Sequence, residues 1–134
     1  MMANPLDLLS DCSLCPRDCH VNRLRGQTGY CGAADGLVVA RAALHQWEEP
    51  CISGERGSGA VFFSGCALGC VYCQNRPIAQ GLQGKKITIH RLAEIFLQLQ
   101  AQGAHNINLV TPGHYAPQIV SALDMAKAAG LQAP

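Results

Sequence analysis

The sequence predicts an α/β fold of parallel strands and crossover helices, preceded by a cysteine-rich segment. Three observations carry this expectation. Ala60-Val61-Phe62-Phe63-Ser64 is a continuous apolar run of strand length, the form taken by a parallel strand buried on both faces. Beyond it, two stretches with helical periodicity alternate with a second strand-like run, which reads as βαβα. Residues 1–58, by contrast, are rich in Cys, Gly and Pro and carry little periodicity. The division that follows is a cysteine-rich segment over 1–58 and the start of a parallel α/β domain over 59–134.

In the first segment the strand candidate is Leu37-Val38-Val39-Ala40, following the turn signal Asp35-Gly36. Gly54 to Gly59 reads as a tight loop leading into the apolar run. Thr88 is placed to cap a helix on which Leu92, Ile95, Phe96 and Leu99 recur at helical spacing, and Gly103 is placed to end it. His105 to Val110 makes the next strand. Pro117 suits the first turn of a second helix, with Ile119, Val120, Leu123 and Ala126 on one face and Gly130 beyond its end. Leu131 reads as the start of a third strand. Two such units cannot close a barrel and would leave a bare strand edge, so the chain reads as the first part of a larger domain.

The chain has 134 residues, of which 49% are apolar and only 14% charged, against roughly 25% charged in ordinary globular proteins. A formal net charge of +1 gives no electrostatic reason to expect nucleic acid or an anionic membrane as partner. No apolar run approaches the roughly 18 residues of a transmembrane helix, and Met1-Met2-Ala3-Asn4-Pro5 lacks the basic and apolar regions of a secretory signal. A cytoplasmic protein is therefore expected. Seven of its eight cysteines fall into two groups, and clustered thiols in a reducing compartment bind metals more often than they form disulfides.

Cys66, Cys70 and Cys73 form a C-x3-C-x2-C pattern just beyond the apolar strand. Three thiolates on so short a loop can each hold one corner of a cubane iron–sulfur cluster. The same run supplies no fourth ligand, whereas structural zinc takes four. An incomplete set needs an exogenous ligand or a distant Cys or His; a [4Fe–4S] cluster with one open iron also fits that count, and an open iron gives a small molecule direct access to the metal. Gly65 and Gly69 relieve crowding around the thiols and let backbone N–H groups approach sulfur, or simply pack a surface loop.

With Tyr72 as the aromatic residue before the third cysteine, the motif resembles the radical S-adenosylmethionine (radical SAM) superfamily. Glu48-Glu49-Pro50, Ile52-Ser53-Gly54, Gly57-Ser58-Gly59, Cys66 to Asn75 and Asn106 to Pro112 are together similar to its pyruvate formate-lyase activating enzyme-related branch. The resemblance implies the N-terminal part of a partial (βα)6 TIM-like barrel. It implies that Cys66, Cys70 and Cys73 bind three irons and that S-adenosylmethionine chelates the fourth. One-electron reduction of the sulfonium would then give methionine and a 5′-deoxyadenosyl radical able to abstract hydrogen. The implied partners are a one-electron donor such as flavodoxin or ferredoxin and, for an activating enzyme, a protein substrate. Tyr72 would lie near the adenine, or else pack on the loop.

Many superfamily members carry a Gly-Gly-Glu-like stretch on the second strand. This chain has Val110-Thr111-Pro112-Gly113-His114, where the hydroxyl or carbonyl of Thr111 could meet the methionine amino group. Asn106 and Asn108 alternate with apolar residues and face either a site or neighbouring backbone.

Cys12, Cys15, Cys19 and Cys31 form a separate group of four, the complement of a structural zinc or of a second, fully ligated iron–sulfur cluster. His20 could replace one of these thiols or lie on a solvated face. Cys51 stands alone, as a further metal ligand, a redox participant or, most simply, a buried inert thiol. Two other functions remain open on the same residues: a non-catalytic iron–sulfur or electron-transfer module, and a purely structural zinc module.

Overall fold

The computed structural model describes residues 4–134. Short 3-10 turns at Pro5–Leu9 and Arg23–Arg25 punctuate the first segment, capped by the side chains of Asn4 and Asn22. The elements then run β1 (Leu37–His45), α1 (Pro50–Ser53), β2 (Ser58–Phe63), α2 (Arg76–Ala79), β3 (Lys85–Ile87), α3 (Ile89–Ala101), β4 (Ile107–Val110) and α4 (Ala116–Ala128). A third 3-10 turn, Gly113–Tyr115, joins β4 to α4.

The strands form one open mixed sheet in the order β3-β1-β2-β4. The parallel pair is β2 with β4, from Gly59 opposite Ile107 to Phe62 opposite Val110. β1 is antiparallel both to β2, with a bulge between Val39 and Arg41, and to β3. This overturns the expected (βα)6 TIM-like barrel: the sheet is mixed and unclosed, with β3 and β4 at its edges. The reason lies in β1. Leu37 to Ala40 read as a short separate strand, but the strand continues to His45 and takes one edge of β2. Only a loop and the single turn α1 link the two strands, which suits an antiparallel return rather than a helical crossover.

The expected βαβα order also lacks β3. Lys85-Lys86-Ile87 has too little apolar character to signal a strand, and its exposed lysines are the residues that protect a sheet edge. No strand begins at Leu131, whose N–H instead returns to the Ala126 carbonyl, while Ile107 N–H donates to the Pro134 carbonyl at 2.7 Å.

The helices lie where local chemistry puts them. The Thr88 hydroxyl accepts from Arg91 N–H, which satisfies one of the free amides that start α3. Leu92, Phe96 and Leu99 bury one stripe of α3, and Gly103 follows its end at φ +89°. On α4 the buried stripe is Ile119, Ala122 and Ala126, while Val120 is exposed. These stripes meet Val61 and Phe63 of β2 and Leu37 and Val39 of β1 in one core. Among the described residues, no helix is long and apolar enough to cross a membrane.

Candidate metal centre

The cysteine loop leaves the end of β2 along an anchored path. Ser64 N–H donates to the Val38 carbonyl, and Ser64 Oγ donates to the Gln83 carbonyl at 2.7 Å. Gly65 then turns with φ +85°, its N–H on the Ile78 carbonyl. A Cβ there would fall on the carbonyl oxygen of Cys31, so both the dihedral and the close approach require glycine. Leu68 N–H points back to Cys66 Sγ at 3.4 Å, a donor aimed at the first thiol. Cys73 N–H closes a turn on the Cys70 carbonyl, and α2 begins shortly after.

This path brings Cys66, Cys70 and Cys73 into the wall of one cavity of about 380 Å³, together with Tyr30, Val71, Arg76 and Leu82 among others. All three cysteines are free and half-buried. The wall contains no other Cys and no His, Asp or Glu. The donor chemistry thus fits a thiolate-held cluster lacking one protein ligand. Among the described residues, no three His, Cys, Asp or Glu side chains are already gathered tightly enough to grip a metal ion.

Tyr72 is 87% exposed and does not line this cavity. Thr111 lies at the carboxyl end of β4, half-buried and outside the cavity wall, with φ +57°. A β-branched residue in the left-handed region stores about 1–3 kcal/mol of strain. Asn106 is structural: its side chain donates to the Ile52 carbonyl and meets Ser58 Oγ at 2.6 Å.

Behind the loop lies a buried polar group. His114 Nε2 is 2.9 Å from the Ser64 carbonyl, and burial holds the imidazole below its ordinary pKa, with the Arg23 charge acting in the same direction. The Tyr115 ring lies tilted against His114, 4.3 Å between centroids, and burial pushes its phenol pKa up. Arg23 is almost completely buried; it donates to the His114 and Ala34 carbonyls, and its Nη2 has no hydrogen-bond partner among the described residues.

The N-terminal cysteines are drawn together only in part. Cys12 and the segment after Cys19 exchange backbone hydrogen bonds, Cys12 N–H to Val21 and His20 N–H to Cys12, and Cys19 Sγ lies 3.7 Å from the Cys12 carbonyl. Asp18 and His20, on either side of Cys19, both take positive φ. His20 Nδ1 contacts Asp11 at 2.7 Å, which raises its pKa at the surface. Cys15 sits in the turn closed by Asp18 N–H on its carbonyl. The segment leading to Cys31 passes against Cys19 at Gly29, and Cys31 itself lies beside Gly65 and lines a second cavity of about 190 Å³ with Ser64 and Tyr115. Cys51 is exposed on α1, which corrects the expectation of a buried thiol.

Sequence reasoning missed three residues around the thiols. Arg76 and Tyr30 line the cavity, and Arg17 reaches the loop from the first segment. The signal available for Arg17 was its place inside Cys15-Pro16-Arg17-Asp18-Cys19, and for Tyr30 its place beside Cys31.

No protein-family profile matches the chain, and no solved structure matches it. It is 29% identical over 124 residues to uncharacterized protein MJ0674 of Methanocaldococcus jannaschii, an alignment that covers 87% of this chain and 35% of the relative. The chain thus spans about a third of the length of the curated relative it matches.

Proposed function

We propose that this chain carries the cluster-binding part of a radical enzyme, with Cys66, Cys70 and Cys73 holding a [4Fe–4S] cluster at which S-adenosylmethionine is cleaved. The observation that carries this reading is the shared cavity: three half-buried thiols of one short loop in its wall, with no fourth metal-binding side chain there. When bound, such a cluster supplies the electron that reduces the sulfonium to methionine and a 5′-deoxyadenosyl radical for hydrogen abstraction.

The chain's own residues prepare the place. Gly65 lets the loop pass tightly against Cys31, and Ser64 ties its start to the 78–83 segment. Leu68 N–H offers a hydrogen bond to the Cys66 sulfur. A one-electron donor such as flavodoxin or ferredoxin, and a protein substrate, belong to the same proposal, as does a zinc or second cluster at Cys12, Cys15, Cys19 and Cys31. The positions of Tyr72 and Thr111 outside the cavity wall favour a second reading, a non-catalytic iron–sulfur or zinc module.

Anaerobic reconstitution with iron and sulfide separates these readings. The radical-enzyme reading expects about four iron and four acid-labile sulfide held by the central thiols. It further expects an electron paramagnetic resonance signal after reduction that shifts when S-adenosylmethionine is added. Cys66→Ala abolishes that signal and Cys51→Ala leaves it intact. A bound cluster whose spectrum ignores S-adenosylmethionine supports the non-catalytic module, and zinc without labile sulfide overturns the cluster altogether.

A further inference from the structure

The first cysteine segment touches the second. Arg17 Nε donates to the Ala67 carbonyl at 2.9 Å, and its Nη2 approaches the Leu68 carbonyl at 3.4 Å. The guanidinium lies over the ring of Tyr30, with Cζ 3.7 Å from the ring centroid. Tyr30 is itself part of the cavity wall, and its hydroxyl lies where a Cβ at Gly69 would sit. Gly69 has φ +66°, so its backbone is shaped to pass close under that ring.

We infer that Arg17 and Tyr30 are positioning residues that clamp the loop between Cys66 and Cys70 and so set the spacing of the central thiols. Resting on the proposed cluster reading, this inference gives the cysteine-rich segment a task at the central site. A planar guanidinium presents a fork of N–H groups in fixed directions, so it can engage two successive carbonyls while its face stacks on an aromatic ring. Ala67 and Leu68 are two of the three residues that separate Cys66 from Cys70. Fixing their carbonyls fixes which way the Leu68 N–H points, and that group faces Cys66 Sγ. A lysine keeps the charge but offers a point donor without the fork or the stacking plane.

The clamp is tested first without any metal, by the alkylation rates of individual cysteines in the reduced, metal-free protein, read by mass spectrometry. In Arg17→Ala we expect Cys66, Cys70 and Cys73 to react about three- to tenfold faster than in the wild type, the factor set by losing one or two modest hydrogen bonds. Cys51, exposed on α1, is the internal reference and should not change. Arg17→Lys should resemble Arg17→Ala, Tyr30→Phe should resemble the wild type, and Tyr30→Ala should fall between. Circular dichroism and the thermal midpoint establish that each variant folds. In reconstituted protein, Arg17→Ala should lose iron faster on gel filtration and broaden the reduced resonance signal, while Tyr30→Phe keeps both. Central-thiol rates in Arg17→Ala that match the wild type, or full rescue by lysine, overturn the clamp. If the wild type takes up no cluster, the cluster reading fails while the alkylation rates still decide the clamp.

Discussion

His114 sits directly behind the cysteine loop, its Nε2 against the Ser64 carbonyl and its ring tilted against Tyr115. Arg23 reaches it from the first segment, through the His114 carbonyl. Burial disfavours the charged imidazolium, and the neighbouring guanidinium adds to that; the bond to Ser64 opposes both without prevailing. The folded pKa is therefore below the ordinary 6.5. An unfolded chain takes up this proton more readily than the folded one, so the stability contributed by neutral His114 is full above the unfolded value and is lost as pH falls through it. His20 has the opposite sign, its pKa raised by Asp11 and Asp18, but it is fully exposed and its ion pairs are screened by solvent. We therefore expect the urea midpoint to fall between pH 7.5 and 5.5, and to fall less in His114→Gln, which keeps an amide donor without a titrating group. Equal pH dependence in the two proteins would remove His114 from this role.

At the level of elements, α3 is the test of what holds the sheet to its helical layer. Phe96 is completely buried against the strands, on the same stripe as Leu92 and Leu99. Phe96→Ala should cost about 3–5 kcal/mol in denaturant unfolding, since transfer energy and an unfilled cavity add. A cost under about 1 kcal/mol would mean that the core closes around the missing ring. This helix was legible in the sequence because its information is local: a threonine cap, an apolar stripe and a terminating glycine all lie within sixteen residues, from Thr88 to Gly103. β3 was not, because an exposed edge strand with two lysines needs no apolar pattern. Val120 and Ala122 on α4 show a finer limit: the larger side chain suggested the core, but close packing of the helix leaves room there for alanine. The spacing of Cys66, Cys70 and Cys73 marked them as candidate cluster ligands; the structure places all three in one cavity wall, without gathering them into a metal-binding group among the described residues. The Arg17 contact spans fifty residues of chain, and spacing carries no trace of such a pairing.

For the whole molecule, the partition at residue 58 that composition suggests is crossed by the sheet itself. β1 belongs to the cysteine-rich segment, yet it lies between β3 and β2 in the strand order. Leu37 and Val39 bury in the same core as Val61, Phe63 and Phe96, and the Pro5–Leu9 turn packs on α4. Arg23 adds a hydrogen bond to the His114 carbonyl, and Arg17 adds two to the cysteine loop. Without residues 1–58, β3 would have no partner strand and one edge of β2 would be bare. What remained would be the pair β2–β4 under two amphipathic helices, and a two-stranded sheet is marginal even with a covering layer. We therefore expect a fragment of residues 59–134 to show no cooperative thermal transition and to expose its apolar helix faces to a hydrophobic dye. The intact chain should melt in one cooperative step, with the near-ultraviolet signal of buried Tyr115 and the helical far-ultraviolet signal changing together. A fragment that melts cooperatively on its own would show that β1 is an accessory to the fold. Failure to fold would make the cysteine-rich segment part of the scaffold that carries the central thiols, in addition to any metal that it binds.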